Sequence, residues 1–331
     1  KVRIYYYKCS ITIVKKAKNS FFYMFSVIFP GQGSQVVGMG KEFHDKFDLV
    51  KKLFKDADDV LNFPLSQFIL EGPKDQLDLT ANTQPAIFLI SYSIFNVIKN
   101  EYNINLNKAK YFAGHSLGEY SALSCAGYLG FADTIKILRI RGDAMQNSVP
   151  KGLGGMVAVL GSNLEFIEKL LENNKDKIKA QIANDNSEGQ IVLSGKIEDL
   201  DNLISILKKN SIKNVKLPVS APFHSSLMSD ATMIMAKELK KLNFKESKNE
   251  LISNVTAEKI TNSNELKDLL IDQIEHRVRW RESVINMIEN NVNHFIEIGP
   301  GKVLSGLVKR INKNVKIDTL NSISDIESIK V

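Results

Sequence analysis

Residues 114–123 read GHSLGEYSAL and set Ser116 between Gly114 and Gly118. A strand can pass into a helix through a tight elbow only where the neighbouring residues lack a bulky Cβ. The apolar Tyr111–Ala113 precede this point and a small-residue run follows it. The stretch 109–129 therefore predicts strand, sharp turn and helix, with the Ser116 hydroxyl presented at the strand's C-terminal edge and a helix N-terminus behind it. An ordinary turn serine is the plainer alternative, but the strand-turn-helix context favours an activated nucleophile.

Outward from the elbow the same rhythm repeats. Residues 25–35, FSVIFPGQGSQ, predict a buried strand over Phe25–Phe29 that ends in a Pro-Gly turn. Residues 40–62 predict one helix with Phe43, Phe47, Val50 and Phe54 on a single face. Residues 83–102 predict a second, more apolar helix started at Pro85, and residues 294–311 predict a strand, a Gly-Pro-Gly turn and a helix. This is an α/β pattern. Between about 154 and 217 the order becomes βαββαβ, the ferredoxin-like unit, which is expected to form a small insert with linkers near NSVPKG and LPVSAPFHS.

The chain has 331 residues, 44% of them hydrophobic, enough to bury a substantial core. Lys and Arg number 44 against 37 Asp and Glu, a net charge of +7 that suits acidic partners without calling for nucleic acid. The two cysteines, Cys9 and Cys125, form no CxxC and pair with no histidine in a ligand-like spacing, so neither a disulfide framework nor a metal site is expected. Residues 1–25 carry Lys1, Arg3, Lys8, Lys15, Lys16 and Lys18, and the first acid is Glu42. Such a stretch reads as the remnant of an organelle transit peptide, with a divergent strand or tail as the alternative. Its apolar runs fall short of the roughly 20 residues that cross a bilayer.

A serine nucleophile needs a base. Of the five histidines, His44 and His276 lie in charged segments, His294 leads into a buried strand, and His115 sits on the elbow pointing away. His224, where the small unit hands the chain back, remains as the candidate. No acid completes a triad, and about a third of the chain still follows His224, which is not the order of a plain esterase. In FPGQGSQVVGMG, Val36 occupies the third glycine position of a dinucleotide fingerprint, so no nucleotide cofactor is expected. That loop could instead supply the N–H of Gln32 to an oxyanion, with Leu117 N–H as its companion. Arg141, in ILRIRGDAMQ, is either a surface arginine or a buried guanidinium that binds a carboxylate.

FPGQGSQ, TQPA, GHSLGEYSAL, RGDAMQ, ANDNSEGQIVLSG, LPVSAPFHSSLM, VRW and EIGPGKVLSGL occur in that order from about residue 26 onward. Together they resemble the malonyl-CoA:acyl carrier protein transacylase family. The resemblance implies a large α/β-hydrolase-like core over 26–152 and 218–331, with the ferredoxin-like subdomain at 153–217. It also implies a ping-pong transfer of malonyl from malonyl-CoA to acyl carrier protein in fatty acid biosynthesis. By matching positions, Ser116 would be the nucleophile and His224 its base, oriented by the backbone carbonyl of Gln273. Gln32 and Leu117 would form the oxyanion hole, Arg141 would hold the malonate carboxylate, and Phe223 would exclude an α-methyl group. Asn186, Gln84 and Ser34 fall at positions that line the channel in relatives. Where relatives commonly carry Asn-Pro before VRW, this chain has His276 and Arg277. No cofactor or metal, no nucleic acid and no membrane contact is expected. A monomer in a plastid-type organelle is expected, with a mitochondrion or a bacterial cytoplasm as alternatives. A serine thioesterase or esterase and a non-catalytic carrier-protein-binding subunit are the competing functions.

Overall fold

The computed structural model describes residues 24–219, 221–260 and 262–329. The basic stretch read as a leader lies outside them, apart from its last two residues.

The first half of the chain builds β1 (Phe25–Phe29), α1 (Lys41–Lys46), α2 (Asp48–Leu61), α3 (Leu65–Leu70), α4 (Lys74–Leu77), α5 (Thr80–Asn100), β2 (Tyr111–Gly114), α6 (Leu117–Cys125) and α7 (Phe131–Asn147). Two departures from the periodicity stand out. The predicted helix over 40–62 is two helices, broken at Phe47, whose backbone is extended (φ −115°, ψ 119°). The second helix starts at Thr80, so Pro85 lies inside it rather than at its start. Proline has no N–H to donate to the carbonyl one turn earlier. Here that carbonyl, of Ala81, accepts instead from Arg139 Nη1 at 3.1 Å.

Next come β3 (Gly154–Leu160), α8 (Leu164–Asn173), β4 (Gln181–Ser187), β5 (Gln190–Lys196), α9 (Ile197–Lys209) and β6 (Lys213–Lys216). The chain then forms α10 (Ser229–Leu239), β7 (Glu250–Leu251), α11 (Ser263–Asp272), α12 (Trp280–Glu289), β8 (His294–Ile298), α13 (Val303–Ile311), β9 (Lys316–Leu320) and α14 (Ile323–Ser328).

Five strands in the order β7-β2-β1-β8-β9 form a parallel sheet. Central β1 is buried on both faces: Val27 and Phe29 join one hydrophobic core, Ile28 another. That accounts for its continuous apolar run, since a parallel sheet carries helices on both sides. A second sheet, β4-β5-β3-β6, is antiparallel and comes wholly from the contiguous βαββαβ stretch. Its own core packs Val157, Val159 and Leu193 against Ile167, Leu203 and Leu207 of α8 and α9.

A backbone seam ties β4 of the antiparallel sheet to the loop just before α12. Val278 N–H donates to Ala183 O at 2.8 Å and Asp185 N–H to Val278 O at 3.0 Å. The Arg281 guanidinium closes the seam on buried Asp185, with Nε 3.0 Å from each carboxylate oxygen and Nη2 at 2.8 Å. Cys125 is buried at the end of α6, and burial pushes its thiol well above its ordinary pKa, as suits a structural residue. Among the described residues no helix is long and apolar enough to cross a membrane.

Candidate active site

Strand β2 ends at Gly114 and α6 begins at Leu117, so His115 and Ser116 make the whole turn. Ser116 has φ 55° and ψ −112°, a conformation that L-residues avoid and that surrounding contacts must hold. The flanking glycines are needed for close approach. A Cβ on Gly114 would lie 1.9 Å from the Gly118 carbonyl oxygen, and one on Gly118 would lie 2.3 Å from that of Phe29. Asn254 holds the elbow from outside: its Oδ1 accepts from Ser116 N–H and its Nδ2 donates to Gly114 O, both at 2.7 Å.

Of the five histidines, His224 is the one within reach of Ser116, with Nε2 2.8 Å from its Oγ. Its Nδ1 lies 2.8 Å from the backbone carbonyl of Gln273. A carbonyl can only accept, so Nδ1 carries the proton and Nε2 is free to accept from the serine hydroxyl. Burial, reinforced by the charge on Arg141, lowers the His224 pKa to about 3, so the ring is neutral at physiological pH. His115 is engaged elsewhere, with Nε2 2.8 Å from Asn186 Oδ1 and its ring against Trp280.

Arg141 is fully buried, not a surface residue. Nη1 donates to Gln84 Oε1 and Nη2 to Gln273 Oε1, each at 2.7 Å, while Nη2 also lies 3.2 Å from Ser116 Oγ. Its Nε has no protein partner among the described residues. Among the described residues no carboxylate contacts the guanidinium directly, although Glu119 lies near enough to act on it through space. A buried cation held by neutral amides beside a serine hydroxyl can receive an anion.

These groups open on a cavity of about 480 Å³ between the two sheets, whose walls include Gln32, Leu117, Phe223, Asn186 and Gln84. The Gln32 loop packs directly on the elbow: a Cβ on Gly31 would sit 2.6 Å from His115 O. Among the described residues neither Gln32 N–H nor Leu117 N–H donates to a protein acceptor. Leu117 opens α6, where the helix dipole favours negative charge. Ser34 turns inward to donate to Gly31 O at 2.9 Å, which shapes that loop.

The His276-Arg277 departure leaves the Gln273 carbonyl in place. His276 N–H closes a turn on Asp272 O at 3.0 Å, and Arg277 reaches out to Glu168 at 3.1 Å. Sequence reasoning missed two residues of this site. Asn254 sits in an unremarkable ISNVTAEK stretch, and Glu119, inside the quoted motif, is 1% exposed and accepts from Gln273 Nε2.

The acyl transferase domain family matches residues 26–330 of the chain. The chain belongs to the acyl transferase family. This acyl transferase is 41% identical over 306 residues to a malonyl CoA-acyl carrier protein transacylase of Bacillus subtilis, an alignment covering 92% of this chain and 94% of the relative. The crystal structure of an acyl-carrier-protein-S-malonyltransferase from Bartonella henselae superposes with a TM-score of 0.89 at 42% identity, covering 92% of this chain and 97% of that one. A malonyl-transacylase in complex with a type II PKS acyl-carrier protein superposes with a TM-score of 0.88 at 34% identity, covering 92% and 98%.

Proposed function

We propose that this acyl transferase moves a malonyl group from malonyl-CoA to the phosphopantetheine thiol of acyl carrier protein, through a malonyl-Ser116 intermediate, in fatty acid biosynthesis. The observation that carries the reading is the Ser116–His224–Gln273 chain of hydrogen bonds beside a buried guanidinium. The chemistry of the relatives supports the choice of acyl donor and acceptor.

Ser116 Oγ attacks the thioester carbonyl as His224 Nε2 takes its proton. The oxyanion is received by Gln32 N–H and Leu117 N–H. Collapse expels the CoA thiolate, which takes the proton back from His224. In the second half, His224 accepts the proton of the carrier thiol, the thiolate attacks the malonyl-serine, and the serine oxygen leaves with that proton. The imidazolium formed in each half-reaction points Nδ1–H at the Gln273 carbonyl, a neutral substitute for a triad acid. Arg141 binds the free carboxylate of malonate, and the Phe223 ring, packed against the cavity, leaves little room for an α-methyl group. None of these steps calls for a metal or cofactor.

The parallel sheet with its elbow is read as an α/β-hydrolase-like core over 26–152 and 218–331, and the antiparallel unit as a ferredoxin-like insert at 153–217. The enzyme is proposed to act as a monomer. The basic, acid-free composition of residues 1–25 supports a plastid-type address, with a mitochondrion or bacterial cytoplasm as alternatives. The test of the function is intact mass after brief exposure to malonyl-CoA and then to phosphopantetheinylated carrier protein. A malonyl adduct on Ser116 that moves to the carrier thiol is expected. Release of free malonate regardless of carrier would overturn the transferase reading.

A further inference from the structure

The mechanism above gives Gln273 a role through its backbone carbonyl alone, yet its side chain is at least as constrained. Gln273 is fully buried. Oε1 accepts from Arg141 Nη2 at 2.7 Å, and Nε2 donates to Ser116 O at 3.1 Å and to Glu119 Oε2. Both amide hydrogens and the amide oxygen are engaged. With the amide reversed, its NH2 would face the guanidinium, donor against donor, and its oxygen would face the Ser116 carbonyl, acceptor against acceptor. Glu119 takes the second amide hydrogen and therefore decides how firmly that choice is held. It is anchored in the first turn of α6, beneath the nucleophile, with Asn254 N–H 3.4 Å from both of its oxygens.

We infer that Glu119 is the positioning residue that fixes the Gln273 amide and, through it, holds Arg141 in the orientation that receives the acyl carboxylate. The inference rests on the reading of Arg141 as the malonate site. The charge balance agrees with it. Burial pushes the Glu119 carboxyl up to about 8, against the downward pull of Gln273, Asn254 and Arg141, which disfavours the negative charge that would offset the guanidinium. An arriving carboxylate meets a pocket with positive charge still to be matched.

The test compares acylation of Ser116 by malonyl-CoA and by acetyl-CoA, which lacks the carboxylate. Wild-type enzyme comes first: if it forms no malonyl adduct, the functional reading itself fails, independently of Glu119. Glu119→Ala is expected to lower kcat/KM for malonyl-CoA about tenfold more than for acetyl-CoA, mainly through KM, because a hydrogen bond that supports a charged group is lost. Glu119→Gln keeps an acceptor oxygen at the same reach and is expected to restore the malonyl preference to within about threefold of wild type. If Glu119→Ala does not fold, Glu119→Asp, which withdraws the carboxyl by one methylene, is expected to shift the preference in the same direction. Equal losses with the two acyl donors, an unchanged preference in the Ala or Asp variant, or a Gln variant as impaired as Ala would overturn the assignment.

Discussion

Replacing Asn254 by alanine tests how the nucleophile is held in its unfavourable backbone conformation. The side chain, 1% exposed, satisfies Ser116 N–H and Gly114 C=O at 2.7 Å each. Each buried backbone group left unmet costs about 1–3 kcal/mol. Ser116 is only half-buried, so the lower part of the combined range applies, about 2–4 kcal/mol of unfolding free energy. The left-handed geometry of Ser116 stores on the order of 1–3 kcal/mol that the cradle holds in place, and releasing part of it moves Oγ off the line between His224 Nε2 and the substrate carbonyl. The rate of malonyl-Ser116 formation is therefore expected to fall at least about tenfold, the equivalent of about 1.4 kcal/mol. Urea unfolding at unchanged m-value reads the first quantity, and quenched mass spectrometry of the adduct reads the second. Asn254→Asp keeps an acceptor for Ser116 N–H but removes the donor to Gly114, and should fall between wild type and alanine. An alanine variant destabilised by less than about 0.5 kcal/mol, or acylated at the wild-type rate, would refute the reasoning.

Three further outcomes follow from the site. Because the His224 pKa is lowered from 6.5 to about 3, kcat/KM for acylation should persist as pH falls through 6.5 and decline only well below it; an acid limb centred near 6.5 would contradict the buried environment. The same shift carries a stability signature: its contribution is complete above pH 6.5 and is lost as pH falls toward 3, since the unfolded imidazole binds a proton that the folded one refuses. Arg141→Ala should reduce malonyl transfer at least about thirtyfold, because a buried charged contact is worth roughly 2–5 kcal/mol, while acetyl transfer falls less. Equal losses for the two acyl groups would remove the carboxylate role from Arg141.

What could be read from the sequence divides along physical lines. The elbow was legible because Gly114, Ser116 and Gly118 satisfy a local steric requirement between neighbours in the chain. Strand β1 was legible because a doubly covered strand is apolar throughout. Helix α5 was begun too late because the compensation for Pro85 comes from Arg139, on another helix, and no pattern within residues 80–100 reveals it. The break at Phe47 was invisible for a related reason: the apolar face of residues 43–54 continues across it, so periodicity passes over a kink that leaves Phe47 partly buried. Elimination led to His224, and the structure sets it beside Ser116. The group that orients it is a backbone carbonyl, which every residue has, and Gln273 came only through resemblance. Asn254 lies 138 residues from the serine it braces, and its type and spacing gave no sign of that role.

The seam around Val278 sets a limit on how the cleft between the sheets can widen. His224 follows closely on β6, where the chain leaves the antiparallel unit, and the carbonyl that aims it precedes the seam by five residues, whereas Ser116 sits on the turn that follows β2 of the parallel sheet. A wedge driven between the sheets at this end would part the serine from its base before it made room for a larger substrate. Gln190, Leu217, Val219 and Val303 line the same cavity without taking part in the seam or in the Ser116–His224 contact, so room for a bulkier acyl chain is better sought at these positions. Attempts to broaden the range of acyl groups have their safe ground there, and each substitution that loosens Asp185 or Arg281 trades chemistry for width.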